Sequence, residues 1–285
     1  MFKRFVLINC PGIGVGNIRN TSSSDHSLEK SLKYAFHKEL KPDLAGLETL
    51  GLDAFIKVET AIARKNSVTA ALAAKSIHGE DDFSAYIELG GGDSENMPLW
   101  GILEDITLIS IGSDETVLPV SEFLEAQSDG EVCSTLIEVL QAPLVRNELI
   151  IATLIDYREA ASECNPTFAI ACLSGFSRLV EESIKFLGTD DALIALSTTA
   201  IDASKEPIEE DDTCRNEFRN ELLPMFYYTP TGQTHDLGLR LLCDVGPSIA
   251  EFFGIDRTEL TGASMGKWFS NVTNPQLDDQ SSLHS

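Results

Sequence analysis

Asp190-Asp191-Ala192-Leu193-Ile194-Ala195-Leu196-Ser197-Thr198-Thr199-Ala200 sets an unbroken apolar run between an acidic turn and a group of small polar side chains. A run without polar alternation reads as a strand buried on both faces, the kind found inside a parallel sheet covered by helices. In such sheets chemistry gathers where strands end and loops begin. Two threonines stand at this strand's end.

The flanking sequence repeats the pattern. Phe5-Val6-Leu7-Ile8 is a second short apolar strand, and 107–111, 148–154 and 225–228 read as further strands. Between them, 166–187 carries Phe168, Cys172, Phe176, Leu179, Val180 and Ile184 at three- and four-residue steps, which is an amphipathic helix. Residues 25–39, 42–50, 131–141 and 243–253 also read as helices, 68–76 as a short alanine-rich helix, and 85–89 as a strand. Strands alternating with helices predict an α/β fold with a mostly parallel sheet sandwiched by helices. One domain is expected over 1–269, followed by a flexible polar tail over 270–285.

Composition narrows the function classes. With 285 residues and 43% hydrophobic content the chain can bury a substantial core. Its formal charge of -24, from 45 acidic against 21 basic residues, repels nucleic acid and anionic lipid, so neither is an expected partner. The apolar run at 5–8 is too short for a signal-peptide core or a bilayer span, which points to the cytoplasm. Six cysteines without a CxxC read as reduced thiols.

The loop Asn9-Cys10-Pro11-Gly12-Ile13-Gly14-Val15-Gly16 follows the first strand as a dinucleotide-binding loop would, but its glycines fall as GxGxG and a polar stretch separates it from the next helix. It reads as a tight turn using glycine torsions. His26, His37, His78 and His235 have no partners at metal-ligand spacing, the acidic stretch 206–212 reads as a solvated face, and Gly90-Gly91-Gly92 reads as a flexible joint.

Seven segments in one order resemble phosphopentomutase, of the alkaline-phosphatase superfamily: KRFVLINCPGIGVG (3–16), KPDLAGLETLGL (41–52), AAKSIHGEDDFSAYIELGG (73–91), WGILEDIT (100–107), NELIIATLIDYREA (147–160), DDALIALSTTA (190–200), and NELLPMFYY (220–228) with LGLRLLCDVGPSIAEFFGI (237–255). The resemblance implies an alkaline-phosphatase-like core and a centre of two divalent metals, usually manganese, held by aspartates and histidines. Carried over position by position, the ligands fall on Asn9, Arg158, Glu163, Thr198 and Thr199, with the last near Phe218, while Asp156 persists two residues before Arg158. The nucleophile position is Asp82, or Phe83 or Ser84 if the register slips.

These residues cannot hold paired dications, because nearly every anionic ligand is replaced and one replacement is a guanidinium. The family's cap domain is also missing, since only 91–99 fills its place. The expectation is therefore a non-catalytic, phosphopentomutase-like protein without metal cofactor or cap, acting as a binding or regulatory module for a protein partner and retaining a weak site for a sugar phosphate. The alternative is a divergent metal-dependent phosphotransferase, phosphomutase or hydrolase that uses Asp82, Asp156 and Glu163 with Mn2+ or another divalent metal. Arg158 is expected to pair with Glu163 or Asp156.

Overall fold

The computed structural model describes residues 3–15, 27–52, 70–74, 82–92, 98–113, 119–204, 221–230 and 236–266. The polar tail, the acidic stretch 206–212, Phe218, His26, His78 and His235 lie outside these residues. In chain order the elements are β1 (Arg4–Asn9), α1 (Ser27–His37), α2 (Ala45–Thr49), β2 (Ala70–Ala74), α3 (Asp82–Leu89), α4 (Pro98–Ile102), β3 (Thr107–Gly112), β4 (Glu122–Glu125), α5 (Asp129–Gln141), β5 (Glu148–Thr153), α6 (Asp156–Ser162), α7 (Pro166–Ile184), β6 (Ala192–Leu196), β7 (Leu223–Tyr228), β8 (Asp236–Leu241) and α8 (Val245–Phe253).

The strands form one eight-stranded sheet in the order β4-β3-β5-β1-β6-β7-β2-β8. The run β4-β3-β5-β1-β6 is parallel throughout, whereas β7 is antiparallel to both neighbours. β1 lies between β5 and β6, with Asn9 opposite Thr153 on one side and Leu196 on the other. Three strand ends therefore meet at one point on the rim.

Helices cover both faces, as the unbroken apolar runs require. Val6, Ile8 and Cys10 join a core cluster with Leu136, Ala160, Leu173 and Phe176 of α5, α6 and α7. Phe5 and Leu7 join the opposite cluster with Tyr86, Leu99 and Ile249 of α3, α4 and α8. Alternate residues of β1 thus feed different cores, as strand geometry dictates. Beneath the sheet, Arg4 Nε donates to Glu148 Oε2 at 3.0 Å and Nη1 to the Leu140 carbonyl at 3.0 Å, a nearly buried pair closing the lower rim.

Several sequence expectations change. The alanine-rich segment 68–76 contains the strand β2, because pairing with β7 and β8 on its two sides overrides alanine's helical propensity. The apolar run 85–89 belongs to helix α3, which sets Tyr86 and Leu89 three residues apart on one core face. Gly90-Gly91-Gly92 is a packed crossing: all three are buried, their amides bond back to Tyr86, Glu88 and Ile87, and a Cβ on Gly246 would lie 2.7 Å from Gly90. Cys164 is disulfide-bonded, against the expectation of reduced thiols throughout, while Cys10, Cys133 and Cys172 are free thiols. Among the described residues no helix is long and apolar enough to cross a membrane.

Candidate functional site

The loops after β1 and β6 are stitched together above the sheet. Cys10 N–H donates to the Leu196 carbonyl, Gly12 N–H to Thr199, and Ile201 N–H back to Gly12, all at 2.8–3.0 Å. Ser197 Oγ accepts from Ile13 N–H at 3.0 Å and donates to the Thr199 carbonyl at 2.8 Å. Gly12 must be glycine twice over: its φ is +106°, and a Cβ would touch the Tyr157 ring at 3.0 Å.

Within this frame Asn9 and Thr198 meet directly. Thr198 Oγ1 donates to Asn9 Oδ1 at 3.2 Å, and Asn9 Nδ2 reaches the Tyr86 hydroxyl at 3.5 Å. The Tyr86 hydroxyl in turn bonds Thr153 Oγ1. Asn9 and Thr198 are both 0% exposed. Two of the expected ligand positions are thus brought together as part of a chain of neutral hydrogen-bonding groups that satisfy one another. Thr199 is buried beside them, with a hydroxyl that has no partner among the described residues.

Asp156 and Glu163 do not converge. Asp156 opens α6 and Glu163 lies just past its end, separated by roughly 10 Å of helical rise. Glu163 is exposed. Asp156 Oδ2 accepts from Asp129 N–H at 3.3 Å, while Asp129 Oδ1 accepts from Ile155 N–H at 2.8 Å and Asp156 N–H at 3.2 Å. These are reciprocal caps at two helix starts, where a carboxylate is favoured. Arg158 is half-buried with its Cα against Gly12. Asp82, Phe83 and Ser84 form the first turn of α3, with only their backbone described.

The glycine loop differs from its sequence reading in one respect. The start of α1 does lie against it, since Leu28 N–H donates to the Gly14 carbonyl at 2.9 Å. The adjacent Ser27 N–H and hydroxyl are taken by Glu221 at 3.1 and 2.6 Å, and a Cβ on Gly14 would lie 2.3 Å from Glu221 Oε2. A carboxylate therefore lies between the glycine loop and the start of α1. Sequence reading missed Glu221, Tyr86 and Thr153 because each reaches the rim from a distant element.

A two-metal centre needs anionic oxygens and imidazoles around each ion. Asn9, Thr198 and Thr199 offer one amide and two hydroxyls, and Arg158 adds a cation on the neighbouring helix. This donor set does not fit such a centre.

The fold is that of the alkaline-phosphatase core. No protein-family model and no curated protein sequence matches this chain. A protein of the alkaline phosphatase superfamily from Vibrio parahaemolyticus matches with TM-score 0.57 and 9% identity, over 93% of this chain and 70% of that one. BT1596, a 2-O GAG sulfatase, matches with TM-score 0.53 and 11% identity, over 97% and 76%. A variant of TAB5 alkaline phosphatase, with Mg bound in its M3 site, matches with TM-score 0.54 and 11% identity, over 89% and 98%.

Proposed function

We propose that this chain is a non-catalytic, phosphopentomutase-like protein on an alkaline-phosphatase core, one that has given up the two-metal centre and cap and works as a binding or regulatory module. The observation that carries this reading is the Asn9–Thr198 hydrogen bond at 3.2 Å, joined through Tyr86 to Thr153. Where adjoining strand ends would present carboxylates to a cation, neutral groups are paired with each other. A buried polar group gives up a satisfied bond only for a better one, and a neutral amide and hydroxyls are poor ligands for a hard dication.

Disulfides persist mainly in oxidising compartments, so the bond at Cys164 lends support to a location other than the cytoplasm. The ligand side of the proposal is a phosphorylated sugar held weakly without turnover, with a protein as the principal partner. The alternative hydrolase loses support because Asp156 and Glu163 stand at opposite ends of α6.

The test is turnover. Purified full-length protein, given ribose 1-phosphate, ribose 5-phosphate, an aryl phosphate or an aryl sulfate with Mn2+, Mg2+ or Zn2+, is expected to show no more product than its Asn9→Ala variant. Metal-dependent product that disappears on Asp82→Ala or Thr198→Ala would overturn the reading.

A further inference from the structure

One register step beyond Asn9, on the other face of the sheet, the side chains have a different character. A carboxylate oxygen of Asp129, one of Asp156 and the Cys172 sulfur all lie within 4.8 Å of one another. They come from α5, α6 and α7, three helices packed against each other over the end of β1. We propose that Asp129, Asp156 and Cys172 form a site for a divalent metal ion of the zinc type, separate from the Asn9–Thr198 cluster.

The geometry suits that class of ion. Zinc takes carboxylate oxygen and thiolate sulfur at about 2.0–2.3 Å in a tetrahedron, so its ligand atoms stand roughly 3.3–3.8 Å apart. Closing the trio around an ion requires a contraction of about an ångström, within the reach of side-chain rotation. The carboxylates are already oriented: backbone amides of Ile155 and Asp156 hold Asp129 Oδ1, and Asp129 N–H holds Asp156 Oδ2, leaving each group a second oxygen. The fourth position is left to water, so Cys172 is the one thiolate of the site; Cys133, four residues after Asp129 on α5, lies outside this group.

A buried thiol beside the group points the same way. Cys10 is a fully buried free thiol that lies among the same groups: burial pushes its pKa well up, and the charges of Asp129, Cys172, Cys133 and Asp156 add to the effect. Two carboxylates and three thiols are thus gathered where negative charge is costly, with Arg178 as the cation acting on Cys133. A bound dication would offset that cost and draw the proton from Cys172, whose thiol burial pushes up to about 12.

The experiment uses full-length protein stripped with chelator and titrated with Co2+ and with Zn2+. One equivalent of Co2+ is expected to bind with a thiolate-to-cobalt charge-transfer band and tetrahedral visible bands, and Zn2+ is expected to displace it. Cys172→Ser should remove the charge-transfer band and Asp156→Asn should weaken binding by about tenfold or more, both with unchanged far-ultraviolet circular dichroism, while Asn9→Ala should leave the spectrum intact. Cobalt binding without a thiolate band, spread over many weak sites on the acidic surface, would overturn the proposal. So would a band that survives Cys172→Ser or vanishes in Asn9→Ala. The turnover assay is independent of this titration, so either reading can fail alone.

Discussion

Asn9 concentrates the chemistry of the upper rim in one side chain. Asn9→Asp would put a carboxylate, 0% exposed in the wild type, beside Thr198 and Tyr86. Desolvation raises such a group's pKa, so its cost is small near pH 4, where it stays protonated, and grows as pH rises. Urea denaturation should show Asn9→Asp less stable than wild type by about 3 kcal/mol at pH 8 and much less affected at pH 4. Equal destabilisation at both pH values would contradict this account. At the lower rim, Glu148→Ala strands the buried Arg4 guanidinium and should cost about 3–5 kcal/mol in the same measurement. The meeting of Asn9 and Thr198, with Thr199 beside them, was legible in the sequence because these residues sit at the ends of recognisable strands. The hydroxyls of Tyr86 and Thr153 were not, because their meeting with Asn9 depends on sheet order and on a helix that reads locally as a strand.

Helix α2 shows how little separates two elements here. A Cβ on Gly46 would stand 1.9 Å from the Ser177 carbonyl oxygen of α7, and Ser177 Oγ accepts from Gly46 N–H at 3.1 Å and Leu47 N–H at 3.3 Å. Gly46→Ala must push the helices apart and is expected to cost about 2–3 kcal/mol, read as a lowered Tm. Ser177→Ala, which leaves two helix-start amides without their acceptor, should cost about 1–2 kcal/mol. Long elements with a clear period, such as α5 and α7, were read correctly from sequence. β2 and α3 exchanged identities because a run of five to eight small or apolar residues carries no period long enough to decide, and neighbours in the sheet made the choice. The edge strand β4 and the terminal strand β8 gave no apolar run to find.

The molecule as a whole carries its acidity on a well-filled interior. With a formal charge of -24, self-repulsion opposes the compact state, so Tm should rise as NaCl is raised from about 10 mM to about 300 mM. A flat or falling Tm would show that the surface charges are already balanced locally. Tyr157 and Tyr227 are buried, and burial raises both phenols well above their ordinary range. Because the unfolded chain ionises them near 10, their stabilising contribution is intact below that pH and is lost as pH climbs beyond it. Tyrosinate absorbance from this pair should therefore appear together with the loss of circular dichroism, and ionisation ahead of unfolding would disprove it. The α/β class and the mostly parallel sheet were legible because strand runs alternate with helical ones. The antiparallel β7 was not, since direction leaves no mark on a short apolar run.

Alternation along β1 has a consequence for how the protein can change over time. Asn9 and Cys10 are covalent neighbours, yet their side chains pack on opposite faces of the sheet, each walled from the other by the sheet itself. Mutations on one side need not disturb the other, so two polar clusters can change independently under a single unaltered scaffold.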